Sequence, residues 1–249
     1  MMGRSHITVT ALVWAAAAPP LAEIAGRPLT VAEIVISTVV CASAALWPDW
    51  DHPSATMAHT LGPISKTIAH LVHGLARGHR HGTHNLWFCI ALGLATLGLA
   101  YAPQSIGSVT MPENWASLAL MVFLAYTLMM TLGLAVAKST GLGDGIYLVQ
   151  AIAFVTAAAV LVPGHWWWMP WAVGAGALLH CLEDILTTGG LSWFLRPVSR
   201  ARICLPVCGD TGGPGEMVVA GVSGAALLWV SIATIAGHQW WTTSWLFTS

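Results

Sequence analysis

The sequence predicts an all-α fold, a polytopic transmembrane helical bundle, on three observations. Hydrophobic residues make up 56% of the 249 positions and charged residues only 8%. The mean hydropathy is +0.72. Apolar runs long enough to cross a hydrocarbon core of ~30 Å recur from end to end. Water-soluble domains carry about 25% charged residues, so this composition excludes that class. The net charge of −1 gives no reason to expect a nucleic-acid partner. With no internal repeat and no low-complexity tract, residues 1–249 read as a single integral membrane domain.

Taken in order, the first apolar segment is short, 6–22, and holds Pro19 and Pro20 near its end. Arg4 followed by ITVTALVWAAAA also has the form of a secretory signal. An uncleaved helix is preferred, because His6 then falls on the same side as every other candidate residue. Further spans are expected at about 29–47, 84–101, 115–137, 145–163, 170–188 and 216–237, making six or seven in all. Between the second and third, an amphipathic helix near 56–76 is expected to lie on the membrane surface or to be re-entrant, with Ser54 as its cap. The segment 189–215 is rich in Gly and Pro and reads as loop. Gly174, Gly176, Gly221 and Gly224 suggest tight helix packing.

Basic residues set the orientation. With the amino terminus in the cytoplasm, that side receives Arg4, Lys66, Arg77, Arg80, Lys138, Arg196, Arg200 and Arg202, and the outside receives Arg27 alone. Tryptophans agree: HWWWMPW at 165–171 and QWWTTSW at 239–245 both fall outside, where they would form interfacial belts. The carboxy terminus is therefore expected outside the inner membrane. Cys41, Cys89 and Cys181 fall in spans; Cys204 and Cys208 fall in a cytoplasmic loop, where thiols stay reduced and C-x-x-x-C is a weak zinc signal.

Three polar clusters break this apolar chain. In WPDWDHPS, Asp49, Asp51 and His52 follow Pro48, so the chain has left helix and the three side chains can converge. A polar helix stop would produce the same letters. In RGHRHGTH, His79 and His84 stand five apart across a glycine turn, a spacing that lets two imidazoles face one ion; positive-inside charge accounts for Arg77, Arg80 and His81. In HCLEDILTTGG, His180 and Asp184 share one helical face, whereas a helix end dipping into water accounts for Glu183. His6 and Glu216 each have an ordinary reading, an interfacial histidine and an acid at a helix start. The segment GDTGGPGE could wrap an anion with backbone N–H groups, but it lacks the lysine and strand of a phosphate loop.

The topology, drawn from Lys, Arg and Trp, nevertheless gathers His6, Asp49, Asp51, His52, His79, His84, His180, Asp184 and Glu216 at one membrane face. His165 and His238 fall outside, and His59, His70 and His73 decorate the surface helix, so those five are assigned no catalytic role. Imidazole with carboxylate suits Zn first, with Mn or Fe also compatible, in one or two ions.

At these residues the chain resembles the YdjM-type family of membrane-bound, metal-dependent hydrolases. The resemblance rests on the early His6, on PDWDHPS at 48–54, on HRHGTHN at 79–85, and on LLHCLEDILTTGG at 178–190 followed by Arg196, Pro197, Arg200 and Arg202. The family's second block usually ends Thr-His-Ser, and here Asn85 takes the last place. By that resemblance His79 and His84, rather than His81, are the expected ligands.

The expected chemistry is metal-assisted hydrolysis at the cytoplasmic membrane face. Asp49 or Asp51 would bridge two ions, Glu216 or Asp184 would act as base or orient an imidazole, and Arg80, with Arg77, would pair with a phosphate. A lipid or lipid-linked phosphoester is the expected substrate. A structural metal site in a non-catalytic membrane protein, or a metal or ion transporter, is the alternative. A transporter would need polar groups across the bilayer, and the outer halves of the spans hold few besides Glu33 and Asn114.

Overall fold

The computed structural model describes residues 1–106, 108–134, 144–164, 166–192 and 201–238. Lys138, His165, Arg196, Pro197, Arg200 and the tryptophan run at 239–245 lie outside the described residues. Among those described are α1 (Gly3–Ile24), α2 (Val31–Ala44), α3 (Pro63–Ala76), α4 (Leu86–Ala100), α5 (Trp115–Leu132), α6 (Gly145–Leu161), α7 (Met169–Ile185) and α8 (Pro214–Ile235). Short 3-10 turns cover Pro48–Asp51 and Thr56–His59. Two antiparallel ribbons pair β1 (Ser105–Ile106) with β2 (Val109–Thr110), and β3 (Leu191–Ser192) with β4 (Arg202–Ile203). The second ribbon lies inside the segment expected to be loop throughout.

Among the described residues, four segments are long and apolar enough to cross a membrane: Gly3–Ile24, Val31–Asp51, Trp115–Leu132 and Pro214–Ile235. Fewer than the six or seven expected therefore qualify on length and composition. The physical reason lies at the ends. α4 has 15 residues and α6 and α7 have 17, which at 1.5 Å per residue reach about 22 to 26 Å. Asn85 begins α4 by accepting a hydrogen bond from Phe88 N at 3.0 Å, which leaves His84 outside the helix. Glu33 is an N-terminal cap partner: it and Thr30 form a capping box at the start of α2.

The expected helix near 56–76 divides in two. Gly62, with φ of 58°, breaks the chain after the 3-10 turn, and Pro63 opens α3. Ser54 caps nothing; its hydroxyl lies 2.9 Å from His52 Nδ1.

Helix α7 sits against α1, α2 and α4, and its buried Ala172 and Val173 join Val40 and Cys41 of α2, Met121 and Leu124 of α5 and Val155 of α6 in one core. Gly176 makes the closest approach possible: a Cβ there would lie 2.2 Å from the Cys41 carbonyl oxygen. Gly174 likewise faces Cys89 O and Gly93 across α4. Gly221, in contrast, has nothing within 4 Å of a built Cβ. Small residues therefore bring α7 close to its neighbours, and this fixes where its inner end, His180 to Asp184, is presented. Gly176→Ala is expected to destabilise the protein by about 1–3 kcal/mol through overpacking, with Gly221→Ala within about 1 kcal/mol of wild type. Unfolding in mild detergent compares them directly.

Candidate metal centre

Four separate pieces of chain deliver the site. His6 comes from the first turns of α1, Asp49 and Asp51 from the 3-10 turn after α2, His79 and His84 from the loop before α4, and His180 and Asp184 from the end of α7. Pro48 stops α2, so Asp49 and Asp51 are turned inward where a continuing helix would have separated them. Ligand atoms of Asp49, Asp51, His79 and His84 all lie within 4.8 Å of one another, as do those of His6, His180 and Asp184. The two groups adjoin: His84 Nε2 and His180 Nε2 are 3.2 Å apart. Asp49 Oδ1 lies 3.6 Å from each of those nitrogens. Asp184 Oδ2 is 3.7 Å from His84 Nε2 and 3.8 Å from His180 Nε2, while its Oδ1 is 3.5 Å from His6 Nε2.

The far nitrogen of each ring is held by another group. His180 Nδ1 lies 2.6 Å from the Ala45 carbonyl. A carbonyl only accepts, so Nδ1 carries the proton and the neutral ring presents a lone pair at Nε2. His6 Nδ1 lies 2.6 Å from Glu183 Oε2, and Thr10 donates to the other Glu183 oxygen at 2.9 Å. His84 Nδ1 lies 3.1 Å from Asp51 Oδ2. His6 stacks on His180 with ring centroids 3.8 Å apart, so each ring also fixes the plane of the other. Three Nε2 atoms thus point into one volume, each oriented from behind.

Asp51 is the hub of the loop side. Fully buried, it receives Thr83 Oγ1 at 2.6 Å, Arg80 N at 3.1 Å, His84 Nδ1 at 3.1 Å and His79 Nδ1 at 2.7 Å. Arg80 adopts a left-handed backbone, φ 64°, which turns its N–H toward that carboxylate. Its guanidinium donates to Asp184 Oδ1 at 3.1 Å, while its buried Nε has no hydrogen-bond partner. Room for the guanidinium exists because residue 189 is glycine: a Cβ there would sit 2.0 Å from Arg80 Nη1.

Two expected site residues stand apart from these groups. His52 caps the 3-10 turn in extended conformation; its ring meets His79 edge-on at 4.6 Å and its Nδ1 faces Ser54. Glu216 is buried, but its oxygens accept Met2 N at 2.7 Å and Gly212 N at 2.8 Å. Within GDTGGPGE, Gly212 N thus binds an anion of the chain itself, the Glu216 carboxylate. Glu183 departs from the expected water-dipping helix end, since it is 4% exposed and locked to His6. The signal for it was present, one residue before Asp184, but only the position of α1 shows what it faces. The Ala45 carbonyl carried no signal at all. His73, assigned no role, holds the Asp51 carbonyl through Nδ1 at 2.6 Å.

The sequence pattern of the YdjM inner membrane protein family matches residues 1–248. The chain belongs to this family. No curated protein and no solved structure matches it. The family assignment makes this a membrane protein, in line with its apolar helices.

Does the pocket of this YdjM-family chain fit a divalent ion? His6 Nε2 is buried with no hydrogen-bond partner, and a buried orphan of that kind is costly unless something accepts its lone pair. The 3.2 Å between His84 and His180 Nε2 is close to the ~3.4 Å that separates two nitrogens each about 2.1 Å from a tetrahedral ion. Asp49, Asp51, Glu183 and Asp184 crowd the same region, and buried carboxylates require positive charge nearby. The donor set and its oriented rings fit. His84 precedes α4. Burial opposes charge on its ring, but hydrogen bonds and charge from Asp49 and Asp51 outweigh that and raise its pKa from 6.5 to about 9. A proton and an ion compete for the same Nε2, so ion affinity is expected to fall as pH drops through and below that value, measured by chelator competition from about pH 6 to about pH 9.5. Glu183→Gln, by freeing the His6 ring, is expected to weaken affinity roughly 10- to 100-fold in the same assay.

Proposed function

We propose that this protein is a membrane-embedded metal-dependent hydrolase that cleaves a lipid or lipid-linked phosphoester. The observation that carries the reading is a graded site. His6, His84, His180 and Asp184 form a buried floor, while the side chains of Asp49, His79 and Arg80 are 19%, 30% and 15% exposed at its rim. Structural metal sites are closed, whereas catalytic ones keep a position open to water and substrate. That contrast favours catalysis over a structural ion.

In this reading His6, His84, His180, Asp49 and Asp184 hold the first ion. His79 and Asp51 hold a second or orient the first set, and His52 stands at the rim. Zinc suits the donors first, with Mn or Fe also compatible. A bound ion would lower the pKa of its water to about 7 and polarise a phosphoryl oxygen. The protein's own part follows from position. Asp184 Oδ1 is taken up by Arg80, by Met1 N and by the nearby His6 ring, which leaves Oδ2, between His84 and His180, as the oxygen to take the proton of the attacking water. Arg80 holds Asp184 Oδ1 with Nη2 and the Gly190 carbonyl with Nη1, and its unpartnered Nε is the N–H left to meet a phosphoryl oxygen. Water attacks phosphorus as it gives its proton to Asp184, the ester P–O bond breaks, and Asp184 returns that proton to the leaving alcohol. Glu216 holds the 209–213 loop and the chain start against the site, a positioning role that replaces the expected choice of base. The asymmetry of the basic residues supports a topology with the site and amino terminus on the cytoplasmic side and the carboxy terminus outside. α1, α2 and α4 to α8 then cross the inner membrane as one domain, with local thinning or tilt accommodating the shorter helices.

The test uses full-length protein purified in detergent. One or two equivalents of metal are expected by elemental mass spectrometry, lost in Asp51→Ala and His84→Ala. Arg80→Ala is expected to keep the metal while lowering turnover of a phospholipid or polyprenyl phosphate by at least about 100-fold. Metal retained by both ligand variants would refute the site. Metal bound without turnover of any such ester would refute the hydrolase.

A further inference from the structure

Helix α3 is built the wrong way round for a helix in water. The side packed on the protein carries small residues: Ser65 and Ala69 are 1% and 0% exposed, and Ala76 closes against Gly82. The large apolar residues are on the other side. Ile64, Leu71 and Leu75 are 65%, 62% and 85% exposed, and with half-buried Ile68 they follow the i, i+4, i+7, i+11 spacing of a single stripe. Around the helix from that stripe, on a separate polar face, the exposed positions are Lys66, Thr67, His70 and Arg77. No Asp or Glu occurs between Asp51 and Glu113. Trp87, 57% exposed at the start of α4, is the aromatic expected at an interface.

We infer that α3 is a membrane-surface anchor that sinks its Ile64, Ile68, Leu71 and Leu75 stripe into the lipid beside the site and binds anionic phospholipid headgroups through Lys66 and Arg77. A large-apolar stripe backed by a polar face whose only charges are cations is the pattern of a helix lying in the plane of an anionic interface, where long Lys and Arg side chains reach the headgroups. Its attachments give the anchor a consequence. Ser65 ties α3 to the turn before it, with its hydroxyl 3.1 Å from the Ala58 carbonyl, and His73 reaches the Asp51 backbone. The chain leaving α3 at Arg77 becomes the loop of His79 and His84 within a few residues. Seating α3 on lipid therefore positions that loop at headgroup depth. The inference does not depend on the metal or on hydrolysis.

The experiment is accessibility labelling of the full chain in lipid nanodiscs. Cys204 is exposed and the other four cysteines are buried, so Cys204→Ser supplies a quiet background. Single cysteines replace Ile64, Leu71 and Leu75 on the stripe, and Thr67 and His70 on the polar face, with an unchanged unfolding midpoint qualifying each. In nanodiscs of phosphatidylethanolamine and phosphatidylglycerol, the stripe positions are expected to react with a membrane-impermeant maleimide at least about tenfold more slowly than the polar positions. In phosphatidylcholine alone, or with Lys66→Glu and Arg77→Glu together in the anionic discs, the difference is expected to shrink several-fold. Stripe cysteines that react as fast as Thr67→Cys and His70→Cys would overturn the anchor. Stripe cysteines that crosslink between copies would overturn it in favour of a second chain covering the stripe. Protection equal in both lipids and indifferent to the charge reversal would overturn the anionic headgroup contact.

Discussion

A carboxylate with no water around it must find its donors in the protein, and Asp51 finds four from one short loop and the residues within it. Most of what is distinctive in residues 77–84 follows from meeting that demand. Arg80 takes a left-handed backbone to offer its N–H. Thr83 turns its hydroxyl inward, and His84 turns Nδ1 toward the acid so that Nε2 is left facing the centre. The same requirement repeats on the other side, where buried Glu183 is satisfied by His6 and Thr10. Polar groups in a bundle this apolar are ordered because each would be costly alone.

The consequence is a division of labour between atoms rather than between residues. Nδ1 of His6, His84 and His180 is used for orientation, and Nε2 is reserved for the centre. Glycines perform the complementary task for the helices. Gly176 lets α7 approach the α2 backbone, and Gly189 leaves space that a guanidinium fills. Helix packing and site geometry are thus parts of one arrangement: shifting α7 by a methyl group would move His180 and Asp184 together.

Much of this was legible in the sequence, for definable reasons. Apolar runs report membrane segments directly, so the membrane class and the gathering of His6, Asp49, Asp51, His79, His84, His180 and Asp184 at one end could be read without coordinates. Helix ends were less legible, because a cap such as Asn85 or a glycine break such as Gly62 outweighs hydropathy locally and shortens what looks continuous. Roles within the site were least legible. Glu183 and Glu216 have similar ordinary readings in one dimension, yet one orients an imidazole and the other receives the amides of Met2 and Gly212. A backbone partner such as the Ala45 carbonyl leaves no trace in side-chain spelling.

The convergence of three imidazoles on one ion is the claim on which the functional reading turns, and X-ray absorption at the edge of the co-purified metal addresses it most directly. The account predicts a first shell of nitrogen and oxygen at about 2.0–2.1 Å, with outer-shell scattering from two to three imidazole rings. A shell containing sulfur at about 2.3 Å would assign the ion to cysteines instead. A shell of oxygen without imidazole scattering would show that the rings of His6, His84 and His180 do not bind it, and either result would contradict the account.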